Sequence, residues 1–433
     1  MLTFEDNEFL SRVGPGTPMG NLMRRFWQPI LLSEELPERD GEPVRVRLLG
    51  EDMVAFRDTN GNVGMIDNYC PHRRASLFFG RNEECGLRCV YHGWKFDIKG
   101  ACVDMPSEPA ESNFKDKVKV TAYPTHEAGD CIFVYMGPPE VQPPFPELEW
   151  TRVPSANRLV MRWIQDSNYM QTIEGDLDTS HVSFLHRWFN HEDRPRAVGR
   201  RIKNGLDMTV IDGSPRLIVN EQDYGFIYGS RRDVGDGEYY WRGTQFILPA
   251  YNLIPSPTWP TTGHAWIPID DDHTSVISFT YQWDEPLDPE QTEQRRATTM
   301  EMVRVKHKTV DGKIIDGWHD VRDSANDYLV DRKLQKEINY TGIPFGRTQD
   351  EAMTDSMGRI VDRTKEHLGT SDTAIIAGRR QLLRLARELQ EGIEPAVVQD
   401  ASAFNVRAID VVNNISDFTE LLAKDGQLAR GKV

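Results

Sequence analysis

The sequence predicts an α+β protein of two domains, an all-β one followed by a larger one of antiparallel sheet and helices. Three observations predict it. At 433 residues the chain exceeds what one ordinary core organises. Strand-like segments cluster together and helix-like segments cluster together, which argues against a parallel α/β sheet. Between the halves runs GPPEVQPPFPELEW, Gly137 to Trp150, whose prolines can continue neither a helix nor a central strand.

The reading divides the chain into an N-terminal segment (1–40), a β-domain (41–140), a larger domain (141–400) and a tail (401–433). In the β-domain, VRVRLLGEDMVAF alternates and turns at Gly50, and CIFVYMG alternates before stopping at Gly137. Beyond the linker, DSNYMQTIEGDLDTSHVSFLH (Asp166 to His186) has helical character. Strand-like segments follow: LDMTVID, RLIVNE, GFIYGSRR, EYYWRGTQFIL, GHAWIPI and HTSVISFTYQW, joined by short Gly-, Pro- and Asp-bearing links. From Pro289 the pattern turns helical. The last strong helix starts near Ser371 and Asp372 and ends before Gly392, with Ile375, Ile376, Leu382, Leu383 and Leu389 as its core face.

A net charge of −16 argues against a nucleic-acid partner, because phosphate binding needs a basic face. The acidic start, MLTFEDNEFL, lacks the basic and apolar regions of a signal peptide. No stretch approaches the roughly 20 apolar residues that span a membrane. Five scattered cysteines form no disulfide framework, so a reducing, cytoplasmic setting is expected.

Two loops within the β-domain carry chemistry. Cys70-x-His72 and Cys89-x2-His92 each place a cysteine just before a histidine, and four such ligands on two short loops form a metal site. A structural zinc site is the alternative, but zinc sites usually group cysteine with cysteine and histidine with histidine. One of each per loop suits a two-iron cluster, with both thiolates on one iron and both imidazoles on the other. Cys85, Cys102 and Cys131 read as plain buried thiols. In the second domain, Asp178-x2-His181-x4-His186 offers two histidines and a carboxylate, the donor set of a non-haem Fe(II) facial triad. On a regular helix Asp178 and His181 share a face whereas His181 and His186 do not, so the helix must break or bulge between them.

The motifs CPHR and CVYHGWKFD, with the following KG, resemble the Rieske [2Fe-2S] domain of ring-hydroxylating oxygenases. VGPGTPMGNLMRRFWQP, DMPSEP and DRTKEHLG look like the phthalate dioxygenase type, and the likeness covers most of the chain. The resemblance implies that Cys70 and Cys89 hold one iron of the cluster and His72 and His92 the other. It implies a helix-grip (START-like) second domain holding a mononuclear Fe(II) on His181, His186 and a downstream aspartate. Asp350 in GRTQDEAMTDS is the preferred third ligand, with Glu351, Asp331 and Asp355 as competitors. Asp178 then matches the residue that bridges a cluster histidine of a neighbouring subunit to an iron-bound histidine. Glu174, a turn earlier, either tunes that bridge or is solvated.

The resemblance also implies a homotrimer or stacked trimers, O2 as co-substrate, and a cis-dihydrodiol product from an aromatic carboxylate such as phthalate. Between a strand and a helix the sequence has no G-x-G-x-x-G turn, so NADH is expected to be oxidised by a separate flavin and iron-sulfur reductase. For the carboxylate, Arg242 sits among aromatics on an alternating strand and could clamp it with two hydrogen bonds; pointing to solvent or pairing with an acid is the other reading. An aromatic O-demethylase or monooxygenase on the same scaffold is the alternative activity. A pure electron-transfer protein with a degenerate second domain is the other rival.

Overall fold

The computed structural model describes residues 2–190, 201–256, 260–309 and 312–432. An all-β unit is followed by a unit built on one long antiparallel sheet with helices against it. In the first unit, Val44–Leu48, Glu51–Arg57, Val63–Asp67 and Ala122–Tyr123 make a four-stranded antiparallel sheet. The turn after Leu48 is Leu49-Gly50, with φ of 49° and 78°, the left-handed pair that matches the twist of a tight hairpin. A meander of Arg81–Glu83, Gly86–Arg88, Lys95–Phe96 and Cys102–Asp104 shares a core with that sheet. Val54, Phe56, Ile66, Leu77, Leu87 and Phe96 form this core, and Cys70 and Cys89 are buried within it.

A third sheet, of Gln28–Leu32, Cys131–Val134 and Thr125–Ala128, faces the other way energetically. Its Ile30, Leu31, Ile132 and Phe133 join the main core with Trp163, Trp266, Phe279 and Tyr281 of the second unit. Trp150, at the end of the proline-rich stretch, stacks on Phe279 at 4.5 Å. The two units are therefore joined by a continuous apolar core as well as by the chain.

The long sheet runs Arg158–Gln165, Thr274–Tyr281, Thr261–Pro268, Tyr251–Ile254, Tyr239–Ile247, Gly225–Asp233 and Arg216–Gln222. Along one edge Tyr239–Ile247 is shared by two strands: its second half pairs with Tyr251–Ile254 and its first half with Ile409–Asn413. Residues 401–433, set apart as a tail on the sequence reading, thus supply a strand of this sheet. The helices Tyr169–Leu177 and Thr373–Gln390 cover one face, with Tyr169, Met170, Ile173 and Leu177 buried beneath. Glu174 is not solvated. It is buried and accepts from Arg363 Nε at 3.0 Å and Arg379 Nε at 2.6 Å, while Arg363 Nη1 also reaches Asn7 at 3.0 Å. Burial pushes the Glu174 carboxyl up, but the two guanidiniums outweigh it and hold it below its ordinary value.

Other elements differ from expectation for identifiable reasons. LDMTVID keeps only a two-residue strand, Leu206–Asp207, because the Asp207 side chain accepts the Thr209 N–H and starts the short helix Met208–Ile211. The helical reading after Pro289 holds for Pro289–Thr299, but Met302–Lys308 and Ile314–Asp320 then form an antiparallel hairpin. In the last helix, capped at Asp372, Ile375, Leu382 and Leu383 are buried, but Ile376 lies about a quarter-turn off that face and is exposed.

Candidate metal centres

The first centre is built by two turns of matching backbone. The Cys70 N–H bonds to Ala75 O at 2.9 Å and the Arg74 N–H returns to Cys70 O at 2.9 Å. Nineteen residues on, Cys89 bonds to Trp94 O at 2.8 Å and the Gly93 N–H returns to Cys89 O at 2.9 Å. Arg88 braces the second turn, donating from Nη1 to Gly93 O and to Asp104, each at 2.7 Å. The thiols point inward, with Cys70 2% and Cys89 3% exposed, whereas His72 is exposed and His92 half-buried. The two imidazoles lie edge to face at 4.4 Å, and Trp94 stacks on His72 at 4.4 Å with its indole N–H on Ser107.

A hydrogen bond from Cys70 pushes the Cys89 thiol down to about 6; burial opposes this, and the Tyr91 and His92 N–H groups assist. Paired buried thiols with amides aimed at sulfur, and paired imidazoles outside them, fit a mixed-ligand two-iron cluster better than a single tetrahedral ion. Cys131 is buried in the other core, Cys102 is buried in the same core as the cage with its thiol on Asp104 O at 3.5 Å, and Cys85 is half-buried and accepts a hydrogen bond from Asn60.

The second centre sits where the helix Tyr169–Leu177 stops. Its last residues do not continue to His186: Asp178 has extended φ and ψ (−81°, 103°), and His181 opens a separate 3-10 turn, His181–Ser183. The break frees both histidines to turn toward the helix Gly346–Ser356. Ligand atoms of His181, His186 and Asp350 lie within 4.8 Å of one another. Asp350 Oδ1 is 3.1 Å from His186 Nε2 and 3.6 Å from His181 Nε2. His186 Nδ1 lies 2.7 Å from Gln349 Oε1, which leaves Nε2 to face the triad when Nδ1 carries the proton.

Burial raises the Asp350 carboxyl, but Arg347 and the two imidazoles hold it well below the usual carboxylate range. Burial, then His186, lowers His181, so it is neutral at pH 7 and free to ligate. This donor set fits Fe(II) with open positions. Asp331 instead caps the helix Arg332–Glu337, Asp355 accepts from Tyr328 Oη at 2.8 Å, and buried Glu351 has its carboxyl raised by burial and by Asp355. Asp178 Oδ1 accepts the Ser180 N–H at 2.7 Å and Oδ2 lies 3.8 Å from His181 Nδ1.

Sequence reasoning missed several partners of this centre. Arg347 Nη2 is 3.3 Å from Asp350 Oδ2 and Nη1 is 3.8 Å from Asp176 Oδ1. Asp176 Oδ2 in turn holds His264 Nδ1 at 2.7 Å and the Trp266 indole N–H at 3.0 Å. The helix-facing side of the sheet is thereby defined. By register Phe246, Asn252 and His264 share it, and Arg242 and Thr244 alternate onto the same side as Phe246. Asn252 is buried with neither amide atom hydrogen-bonded, and Arg242 Nε is buried without a partner. Arg232, also on this side, is fully buried and, among the described residues, bonds only to Ser230 Oγ and the carbonyls of Asp212 and Thr179. Burial, then the nearby Arg242, lowers it to about 10. Among the described residues no carboxylate lies within ion-pair distance of either guanidinium.

A thiolate–imidazole cage and a two-histidine, one-carboxylate triad in one chain define an iron-dependent oxidoreductase. Comparisons with known proteins agree. A Rieske [2Fe-2S] domain model matches residues 26–124, and a model described as LigXa C-terminal domain like matches residues 134–426. The chain is 39% identical over 432 residues to the phthalate 4,5-dioxygenase oxygenase subunit of Pseudomonas putida, covering 98% of this chain and 93% of that protein. It is 39% identical to the 3-chlorobenzoate-3,4-dioxygenase oxygenase subunit of Comamonas testosteroni, covering 93% of each. It is 33% identical to the 5,5'-dehydrodivanillate O-demethylase oxygenase subunit of a Sphingobium species, covering 92% of this chain and 84% of that one. The fold resembles that of dicamba monooxygenase with 3,6-dichlorosalicylic acid, at a TM-score of 0.57 and 18% identity, over 86% of this chain and 99% of that one. The chain belongs to the Rieske aromatic ring-hydroxylating oxygenases of the phthalate dioxygenase type, whose oxygenase components carry a [2Fe-2S] cluster and a mononuclear iron. No helix among the described residues is long and apolar enough to cross a membrane.

Proposed function

We propose that this oxygenase component dihydroxylates an aromatic carboxylate of the phthalate class, giving a cis-dihydrodiol. The observation that carries the reading is Arg242. Its Nε is buried and unpartnered on the helix-facing side of the sheet, and among the described residues no acid is ion-paired with it, the cross-strand Asp410 being held by Arg201 and Tyr240. A half-buried guanidinium without a counter-ion favours an anion, and its planar fork suits a carboxylate. Arg232 adds positive potential on the same face, although its own hydrogen bonds are spent on backbone oxygens and Ser230. The two relatives at 39% identity bear the names of aromatic acids, phthalate and 3-chlorobenzoate.

When bound, the cluster supplies single electrons and the mononuclear Fe(II) activates O2. The chain's own residues do the rest. His181, His186 and Asp350 hold the iron; Cys70, His72, Cys89 and His92 hold the cluster. Arg242 fixes the carboxylate so that the ring lies toward the triad. Asp178 is half-exposed beside His181 Nδ1 and offers a carboxylate to a cluster histidine of a neighbouring subunit in a homotrimer. Electrons arrive from a separate NADH-oxidising reductase in a cytoplasmic setting.

The test is a single turnover of reduced holoenzyme with 18O2 and a panel of phthalate isomers, benzoates and methoxybenzoates. Two labelled oxygens in a dihydrodiol are expected. Formaldehyde with a phenol would establish demethylation instead, a reading that the O-demethylase relative favours.

A further inference from the structure

The triad's carboxylate presents two different faces. Asp350 Oδ1 looks at both histidines, at 3.1 and 3.6 Å, while Oδ2 looks away from them at Arg347 Nη2, at 3.3 Å. Arg347 is itself held. Its side chain is 8% exposed, its other terminal nitrogen faces Asp176, and the guanidinium lies 5.1 Å from the Trp266 ring centroid. Asp176 cannot swing to meet a displaced arginine, because its second oxygen is fixed by His264 and Trp266 from the strand Thr261–Pro268. One guanidinium therefore ties the end of the helix that leads into His181, and the sheet beneath it, to the helix that carries Asp350.

We propose that Arg347 is a positioning residue that keeps Asp350 a one-oxygen ligand, with Asp176, His264 and Trp266 as its anchor. A carboxylate free to rotate can take a metal with both oxygens and fill a coordination position. Pairing Oδ2 with the Arg347 cation at 3.3 Å opposes this and leaves that position for oxygen or solvent. Arg347 also balances the charge of Asp176, 3.8 Å from its other terminal nitrogen. The role differs from that of Gln349, which acts on His186, and from that of Arg242, which acts on substrate. It rests on the reading that His181, His186 and Asp350 hold the iron.

The experiment uses full-length, cluster-loaded protein with Arg347→Met and Arg347→Lys. Three quantities are read: Fe(II) binding, the near-infrared magnetic circular dichroism of bound Fe(II), which reports coordination number, and kcat separately from KM. Arg347→Met is expected to shift the dichroism toward higher coordination and to lower kcat by about 10–100-fold with KM little changed. Arg347→Lys, which keeps the charge and loses the fork, is expected to fall between. A wild-type spectrum with kcat within about twofold of wild type would overturn the proposal. If Arg347→Met yields no cluster-loaded protein, Asp176→Asn decides. It leaves Arg347 in place without its anchor, and an unchanged spectrum there also overturns the proposal. His181→Ala separates the two levels of argument: if that variant keeps its mononuclear Fe(II), the iron-site reading itself fails.

Discussion

Arg74 and Gly93 hold equivalent places in two matched turns. Each follows a cysteine by four residues, each N–H returns to that cysteine's carbonyl, and each has positive φ, 60° and 81°. Only Gly93 is sterically forced, because a β-carbon there would lie 2.7 Å from Pro106 Cγ. Gly93→Ala adds a left-handed penalty of about 1–2 kcal/mol to that clash and should lower cluster occupancy, read from visible absorbance per chain. Arg74→Gly should leave occupancy unchanged or raise it.

The ring of His186 is oriented through Gln349, whose amide N–H bonds to Ile343 O at 2.7 Å while its oxygen meets Nδ1. Gln349→Ala should weaken mononuclear iron binding by about 10–100-fold and leave the cluster spectrum untouched. Iron content after dialysis against a chelator measures this. Retention equal to wild type would show that the imidazole needs no such support.

Arg242→Met removes the buried donor on the sheet face. KM for an aromatic carboxylate should rise by about 10–100-fold, the worth of one charged hydrogen bond at about 1.5–3 kcal/mol. A neutral aromatic of similar shape should be affected little. Steady-state kinetics on the two substrates would expose the opposite pattern.

Glu174→Gln leaves Arg363 and Arg379 buried with one carboxylate fewer and should cost about 3–5 kcal/mol in urea unfolding. The pH dependence follows from the direction of the shift. A carboxyl held below its ordinary value stabilises the fold above about pH 4.5 and loses that contribution as pH falls through its lowered value. The wild type should therefore lose stability below about pH 4.5 more steeply than Glu174→Gln does.

How much of this is legible in the chain depends on distance along it. Cys70, His72, Cys89 and His92 stand on two short loops, so their spacing alone exposes a metal cage. His181 and His186 are close in sequence, and their non-helical separation demands a break between them; the helix ends earlier, at Leu177, before both. Asp350 lies far downstream, and only the family resemblance picks it from its acidic neighbours. Arg347 and Gln349 stand within a turn of Asp350, so a search of that helix could have found them. Asp176, on a helix, and His264, on the sheet beneath it, meet in a contact that no local pattern records. The hairpin Met302–Lys308 with Ile314–Asp320 did leave a signal, alternation around Asp311-Gly312, masked by its position between helical segments.

The strand shared along one edge has a consequence for synthesis. Arg242 pairs with Asp410, so the half-strand beneath the proposed anion site gains its outer neighbour late. At about 5–20 residues per second, a ribosome needs on the order of ten to thirty seconds to travel between those two positions. For that interval the nascent sheet keeps an open edge able to pair with another chain. Yield in a given host should then depend on how quickly translation closes that gap and on which chaperones guard it.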